Sequence, residues 1–146
     1  MPDGSPKLSV EIVTPERRVL TEEVDMVIAP ASEGTVGILP RHAPLLTALI
    51  PGVMVLKKEG QEENLAVSGG FLQVSHNRVL ILADTAEREA EIDEQLAQEA
   101  RARAETALLE ARSRPASMQI DAARAALRTS LARLNVARRR RRRTQM

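Results

Sequence analysis

Apolar and polar positions alternate with a period of two over the first part of the chain, and the period lengthens to that of a helix near residue 87. Leu8, Val10 and Ile12 interleave with Ser9, Glu11 and Val13; Val24, Met26 and Ile28 interleave with Asp25, Val27 and Ala29. Short apolar runs follow at 36–39, 45–50, 53–56, 65–67, 71–74 and 79–82. Turn residues divide them at Thr14-Pro15, 30–34, Glu59-Gly60, 68–70 and His76-Asn77. Short strands at close spacing, separated by Gly, Pro and Asn, predict an all-β sandwich over residues 1–86.

From residue 87 the pattern predicts an antiparallel α-helical hairpin through 146. Asp84-x-x-Glu87 has the form of a capping box, in which an acceptor serves orphan N–H groups and a carboxylate follows three residues on. Ile92, Leu96, Ala100, Ala104 and Leu108 then recur at i+4 on one helical face. Glu87, Glu89, Glu91, Asp93 and Glu94 crowd the first turns, where the helix dipole favours negative charge. Pro115 is placed to end this helix and Ser117 to cap a second, with a face of Ile120, Ala123, Leu127, Leu131 and Leu134. Alanines at 90, 97, 100, 102, 104, 107 and 111 let the two backbones approach closely. The apolar stripe is narrow and the other faces are charged. A hairpin with so little to bury exchanges its packing partner at modest cost, because helical stability comes mainly from packing an amphipathic face.

Composition narrows the chemistry. Phe71 is the only aromatic residue among 146, so the core is built from Val, Ile, Leu and Met, and no stacking platform for bases exists. There is no cysteine, hence no disulfide and no thiolate metal site. His42 and His76 have no carboxylates at metal-ligand spacing, so no metal is expected. No Gly-rich phosphate loop and no nucleophile–base pair stand out, and Ser68-Gly69-Gly70 is a turn or bulge rather than a P-loop. No cofactor and no catalytic residue are expected. No apolar run approaches the roughly 20 residues that cross a bilayer, and the polar start Met1-Pro2-Asp3-Gly4-Ser5-Pro6-Lys7 lacks signal-peptide order. A soluble chain is expected, meeting membranes only through partners.

The formal charge of +1 conceals a split. Residues 1–86 hold eleven acidic and seven basic side chains, net −4; residues 87–146 hold nine acidic and fourteen basic, net +5. Six of those arginines are consecutive: Arg138, Arg139, Arg140, Arg141, Arg142 and Arg143. Such a run is either a solvated tail or an electrostatic footprint for an acidic partner, protein or nucleic acid.

The densest punctuation lies at 34–52, where tight corners join two apolar runs. The order Gly34-x-x-Gly37-x-Leu39-Pro40-x-His42-x-Pro44-Leu45-x-Thr47-x-Leu49-x-Pro51-Gly52 resembles the ε subunit of F-type ATP synthases. So does Ser68-Gly69-Gly70-Phe71 followed by Val79-Leu80-Ile81-Leu82-Ala83-Asp84-Thr85-Ala86, and the likeness runs from about Leu8 to Val136. The resemblance implies a non-catalytic central-stalk protein that couples proton-driven rotation of the c-ring to ATP synthesis. Its partners would be the γ subunit, the polar loops of the c-ring and the α/β catalytic head, at the cytoplasmic face of a bacterial plasma membrane. It implies a β-sandwich at the foot of γ with Glu33, Gly34, Thr35, Val36, Gly37 and His42 at the c-ring and γ interface. Thr35 stands where some relatives carry a carboxylate.

The hairpin would fold beside the sandwich or extend along γ to inhibit hydrolysis, and residues 138–143 would meet an acidic loop of the head only when extended. Some relatives bind ATP in the folded hairpin through an Ile/Leu-Asp-x-x-Arg-Ala motif. Here Glu87, Asp93 and Arg133 match that site, whereas Leu96 and Thr129 replace two arginines, so ATP binding should be weak or absent. The alternative function is a small nucleic-acid-binding module using the arginine run. Scarce aromatics and an acidic sandwich weigh against it, and the resemblance implies no nucleic-acid partner. A free-standing enzyme lacks any catalytic constellation.

Overall fold

A computed structural model describes residues 4–113 and 117–144. Ten strands fill the first part: β1 (Leu8–Val13), β2 (Arg18–Val24), β3 (Met26–Ala31), β4 (Gly34–Ile38), β5 (Leu45–Leu49), β6 (Gly52–Lys58), β7 (Gln61–Val67), β8 (Gly70–Ser75), β9 (Arg78–Ala83) and β10 (Ala86–Arg88). A 3-10 turn at Glu89–Glu91 leads to α1 (Glu94–Arg112) and α2 (Ser117–Thr144). The strands form one ladder in the order β10-β7-β6-β3-β5-β8-β9-β1-β2, with β4 paired to β3 alone. Neighbours are antiparallel except β1 beside β9. The ladder folds over where β3 meets β5 through one pair, Ala31 and Leu49, giving the expected sandwich. Its core is aliphatic: Leu8, Val10, Ile12, Val27, Ile38, Met54, Leu65, Leu72 and Ile81 are each fully buried.

β6 and β7 depart from simple alternation. Met54 and Leu56, with Leu65 and Val67, face the sandwich core. Val53 and Ala66, on the opposite face of the same strands, pack with Ile92, Ala97, Ala132, Leu134, Val136 and Ala137. Strands buried on both faces read as continuous apolar runs rather than alternating ones, which accounts for 53–56 and 65–67.

Several expectations are corrected. The stretch 24–29 is not one alternating strand. Asp25 forms a corner: its N–H bonds to the Lys57 carbonyl at 2.7 Å, and its carboxylate accepts from Lys7 Nζ at 2.5 Å and the Glu59 N–H at 2.7 Å. The corner resets the pleat, so Val24 is buried before it and Val27, Ala29 and Ala31 after it, while Met26 and Ile28 are only half-buried. A one-residue slip exchanges the two faces. Asp84-x-x-Glu87 does not start a helix either. Ala86–Arg88 pairs with Val67, Ala66 and Leu65 of β7, because an unpaired strand edge has more to gain from a ladder than a short capping motif from one turn. The true cap of α1 is Asp93, whose carboxylate accepts from the N–H groups of Gln95 (2.9 Å) and Leu96 (3.2 Å).

Faces within the hairpin also shift. Ile92 is buried but precedes α1, and Leu96 is 55% exposed. The buried face is Ala97, Ala104, Leu108 and Ala111, and on α2 it includes Ala123, Ser130, Leu134 and Ala137, whereas Leu131 is exposed. Small residues thus recur every seven positions on both helices, at 97, 104 and 111 and at 123, 130 and 137. That spacing keeps one seam facing a neighbouring helix, and small side chains permit close approach. The larger Leu96 and Leu131 are left outside the seam. Ser117 is the first residue of α2 rather than a preceding cap, and Pro115 lies outside the described residues.

Two outcomes test this architecture. At Gly70 φ is +151°, and an added Cβ would sit 2.0 Å from the Leu82 carbonyl oxygen. Gly70→Ala should therefore cost about 3 kcal/mol or more in urea unfolding, against under about 0.5 kcal/mol for an unstrained surface change. A chain ending at Ile92 should keep β-type circular dichroism and a cooperative melt, yet bind a hydrophobic dye at the uncovered Val53 and Ala66. Loss of the cooperative melt would mean that the sandwich depends on the hairpin.

Candidate functional site

The interface expected from residues 33–42 lies along an edge of the sandwich. β4 is paired on one side only, and Glu33, Gly34, Thr35 and Gly37 are exposed along it while Val36 is half-buried. Gly34 opens the strand with φ of +121°, and a Cβ on Gly37 would meet Met26 Cε at 2.8 Å. His42 lies beyond the opposite end of β4, in the loop before β5, where its N–H bonds the Leu39 carbonyl at 3.2 Å. Its Nδ1 sits 2.7 Å from the Ala43 carbonyl oxygen. Asn77, in the β8–β9 turn, holds this end by accepting from the Arg41 N–H (2.8 Å) and donating to the Lys7 carbonyl (2.8 Å). The β4 edge thus carries Gly34, Thr35, Val36 and Gly37 with Glu33 at its start, and His42 lies beyond it in the loop before β5.

A second surface was not singled out by the sequence. On the outer face of β5, β8 and β9, Ala48 pairs with Phe71 and Phe71 with Leu82, and Leu46 stands two residues from Ala48 on the same face. Leu46 is 71% exposed, Phe71 58% and Leu82 49%. As plain apolar runs, 45–50, 71–74 and 79–82 do not show which residues face outward, and the lone aromatic Phe71 was the available signal. Gln73 is the polar member of this face, opposite Leu46, and exposed apolar patches of this kind are features of docking surfaces.

The residues matched to a nucleotide site separate into two structural jobs. Arg133 Nε bonds Glu87 Oε2 at 3.0 Å, tying α2 to the end of β10. Asp93 spends its carboxylate on the α1 cap. Leu96, where an arginine would stand, points to solvent.

The arginine run overturns an expectation. The run is not without opposite charge when the hairpin is folded: Arg141 and Arg143 meet carboxylates, and the bonded arginines lie against β7, the 3-10 turn and the start of α1. Arg139 donates to Asn64 Oδ1 at 2.9 Å, Arg140 to the Ile92 carbonyl at 3.1 Å and to the Glu89 carbonyl, and Arg141 to Glu94 at 3.1 Å. Arg143 pairs with Glu89 and also reaches the Glu62 carbonyl at 3.2 Å. A cleft of about 1360 Å³ beside these groups is lined by residues 60–64, 88–91, 139, 140, 142 and 143. Arg88 faces it and bonds Glu63 at 2.6 Å and Glu22 at 3.5 Å. The sequence pattern missed Asn64 and Glu89, both buried, since a polar residue in a strand and a glutamate at a helix start read as solvated.

Burial alone would push the Glu89 carboxyl up. The hydrogen bonds from Arg143, and from the Asn64 side chain and N–H, outweigh it and hold Glu89 below the ordinary carboxylate range. Glu91 behaves alike: burial raises it, and the Arg88 N–H with Arg17 brings it lower. The Glu63 hydrogen bond raises Arg88 and the Glu89 hydrogen bond raises Arg143. Among the described residues no group of three or more His, Cys, Asp or Glu side chains could hold a metal ion. No helix there is long and apolar enough to cross a membrane.

Comparison with known proteins gives one consistent family. The description "ATP synthase, Delta/Epsilon chain, beta-sandwich domain" matches residues 7–89. The ATP synthase epsilon chain of Herpetosiphon aurantiacus is 54% identical over 136 residues, 93% of this chain and 98% of that one. That of Moorella thermoacetica is 51% identical over 131 residues, covering 89% and 96%, and that of Dehalococcoides mccartyi (strain CBDB1) 48% over 140 residues, covering 96% and 99%. A chain in the structure of Euglena gracilis mitochondrial ATP synthase, OSCP/F1/c-ring in rotational state 1, shares the fold. Its TM-score is 0.72 at 23% identity, over 89% of this chain and 82% of that one.

The Glu89 arrangement predicts an acid-sensitive dock. A carboxyl held low in the folded chain contributes stability that is complete above the unfolded value, near 4.3, and is lost as pH falls through the folded value. Urea midpoints should therefore hold from pH 7 to about 5 and drop below about 4. In Glu89→Gln the midpoint at pH 7 should be lower, by an amount equivalent to about 1–3 kcal/mol for the weakened buried network, and the gap to the parent chain should close toward pH 3. A constant gap at every pH would exclude this carboxylate as the titrating group.

Proposed function

Because this chain belongs to the ATP synthase epsilon-chain family, we propose that it acts in the central stalk of a rotary F-type enzyme without a catalytic site of its own. The sandwich couples proton-driven rotation of the c-ring, through γ, to ATP synthesis in the α/β head. The edge at Glu33, Gly34, Thr35, Val36 and Gly37, with His42 beyond it, faces the polar loops of the c-ring. The membrane is met only through the assembly, at the cytoplasmic face of a bacterial plasma membrane.

The observation that carries this proposal is the exposed face of Leu46, Ala48, Phe71 and Leu82 on an otherwise complete sandwich. The inner core is already closed, so this face serves contact with another chain, and γ is the partner it fits. The hairpin supplies regulation. α2 meets the sandwich over its C-terminal half, from Ala132 to Arg143, so the hairpin can leave as a unit and impede hydrolysis in the head. The arginines could meet an acidic surface of the head only after giving up their partners on the sandwich. Glu87 and Arg133 are bonded to each other and Asp93 caps a helix, which favours no nucleotide there.

Phe71→Asp and Leu82→Asp should each weaken binding to a γ-containing catalytic complex by about a hundredfold, or roughly 2.7 kcal/mol, with little change in melting temperature. Unchanged affinity in both would remove this face as the γ contact. Assembled enzyme carrying a chain that stops at Ile92 should hydrolyse ATP several-fold faster than enzyme with the full chain. Equal rates would assign the hairpin no inhibitory part.

A further inference from the structure

α2 continues well beyond the apolar contact that holds it. Its stripe over the sandwich consists of Ala132, Leu134, Val136 and Ala137 against Val53, Ala66 and Ile92, a short aliphatic contact in which three of the seven side chains are alanine. The same helical face then carries arginine. Positions 139, 140 and 143 follow 132 and 136 at helical spacing, and these three arginines reach the sandwich. Arg139 donates to Asn64 Oδ1, Arg140 to the Glu89 and Ile92 carbonyls, and Arg143 to both carboxylate oxygens of Glu89 and to the Glu62 carbonyl. Arg138, Arg141 and Arg142 take no part in these bonds.

The receiving side is a prepared polar node. Asn64 is 3% and Glu89 7% exposed, and the Asn64 N–H and Nδ2 both donate to Glu89 Oε1, at 2.9 and 2.8 Å. Docking α2 strips water from this carboxylate and from Asn64 Oδ1. A buried charge or amide left without a partner is strongly unfavourable. Docking is therefore conditional on guanidinium groups arriving at both acceptors. A fork of N–H donors matches the carboxylate better than any other side chain could.

We propose that Arg139, Arg140 and Arg143 form a clasp that closes the helical hairpin onto the β6–β7 face through Asn64 and Glu89, and that opening this clasp frees the hairpin as a unit. Three of the six arginines do this work and three do not. The clasp is a property of the isolated chain. Its bearing on hydrolysis, where it would hold the hairpin away from the head, rests on the function proposed above.

The chain has no cysteine, so a single Val136→Cys, at a fully buried position on the same helical face as Arg139, Arg140 and Arg143, reports opening by its alkylation rate in the full-length isolated protein. In that background, Arg139→Gln, Arg140→Gln and Arg143→Gln together remove the same charge as Arg138→Gln, Arg141→Gln and Arg142→Gln together. The first set should accelerate alkylation by about tenfold or more, equivalent to about 1.4 kcal/mol, and the second by less than about threefold. Equal acceleration by the two sets, or none by the first, would overturn the clasp. Should the first set melt without a cooperative transition, Arg143→Gln against Arg142→Gln with the same probe decides the matter. Only the former should raise the rate, and equal rates would refute the proposal. Failure here leaves the γ-binding result untouched, because that test reads the opposite face.

Discussion

The rest of the structure depends on β6 and β7 being buried on both faces. Met54, Leu56, Leu65 and Val67 complete the sandwich core from one side, and Val53 and Ala66 receive the helices from the other. A strand pair committed in both directions is the mechanical link between a rigid sandwich and a hairpin that would otherwise have nothing to pack against. β10 closes the edge of the same pair and delivers the chain to the 3-10 turn, where Glu89 is set beside Asn64.

The outer side of that pair is small and mixed in character. Its apolar part is Val53 and Ala66, met by a cluster that is half alanine, so dispersion and area burial there are limited. What makes the docked position specific is the polar node, where a desolvated carboxylate and amide accept only a correctly placed guanidinium. Specificity from a buried charge network comes with sensitivity to its loss, since a half-satisfied network is worse than none. That combination suits a contact meant to be made in one position and released as a whole.

The remaining surfaces divide by chemistry. The β5–β8–β9 face is apolar and exposed, the β4 edge is polar and unpaired, and the hairpin lies over β6 and β7. Under the proposed function, one partner is met through the apolar face, another through the edge and a third through the hairpin, and these surfaces are separate. The single-stranded attachment of β4 to β3 keeps the edge available.

By itself the sequence determined the two-part plan, the strand content and the aliphatic core, because period-two and period-3.6 patterns are local and each apolar run records how many of its faces are covered. It also carried the family resemblance in the 34–52 corner and in Ser68-Gly69-Gly70-Phe71, where turn geometry admits few residues. The tertiary structure alone decided the pleat reversal at Asp25, the use of 86–88 as a strand in place of a helix start, and which leucines of the hairpin are buried. It alone decided the partners of the arginine run. In the sequence Asn64, Glu89 and Arg143 are three ordinary polar residues up to 79 positions apart. Only folding brings them together and removes the water between them, and it is that desolvation, a property of the assembled neighbourhood and of no single residue, that turns a charged tail into part of the fold.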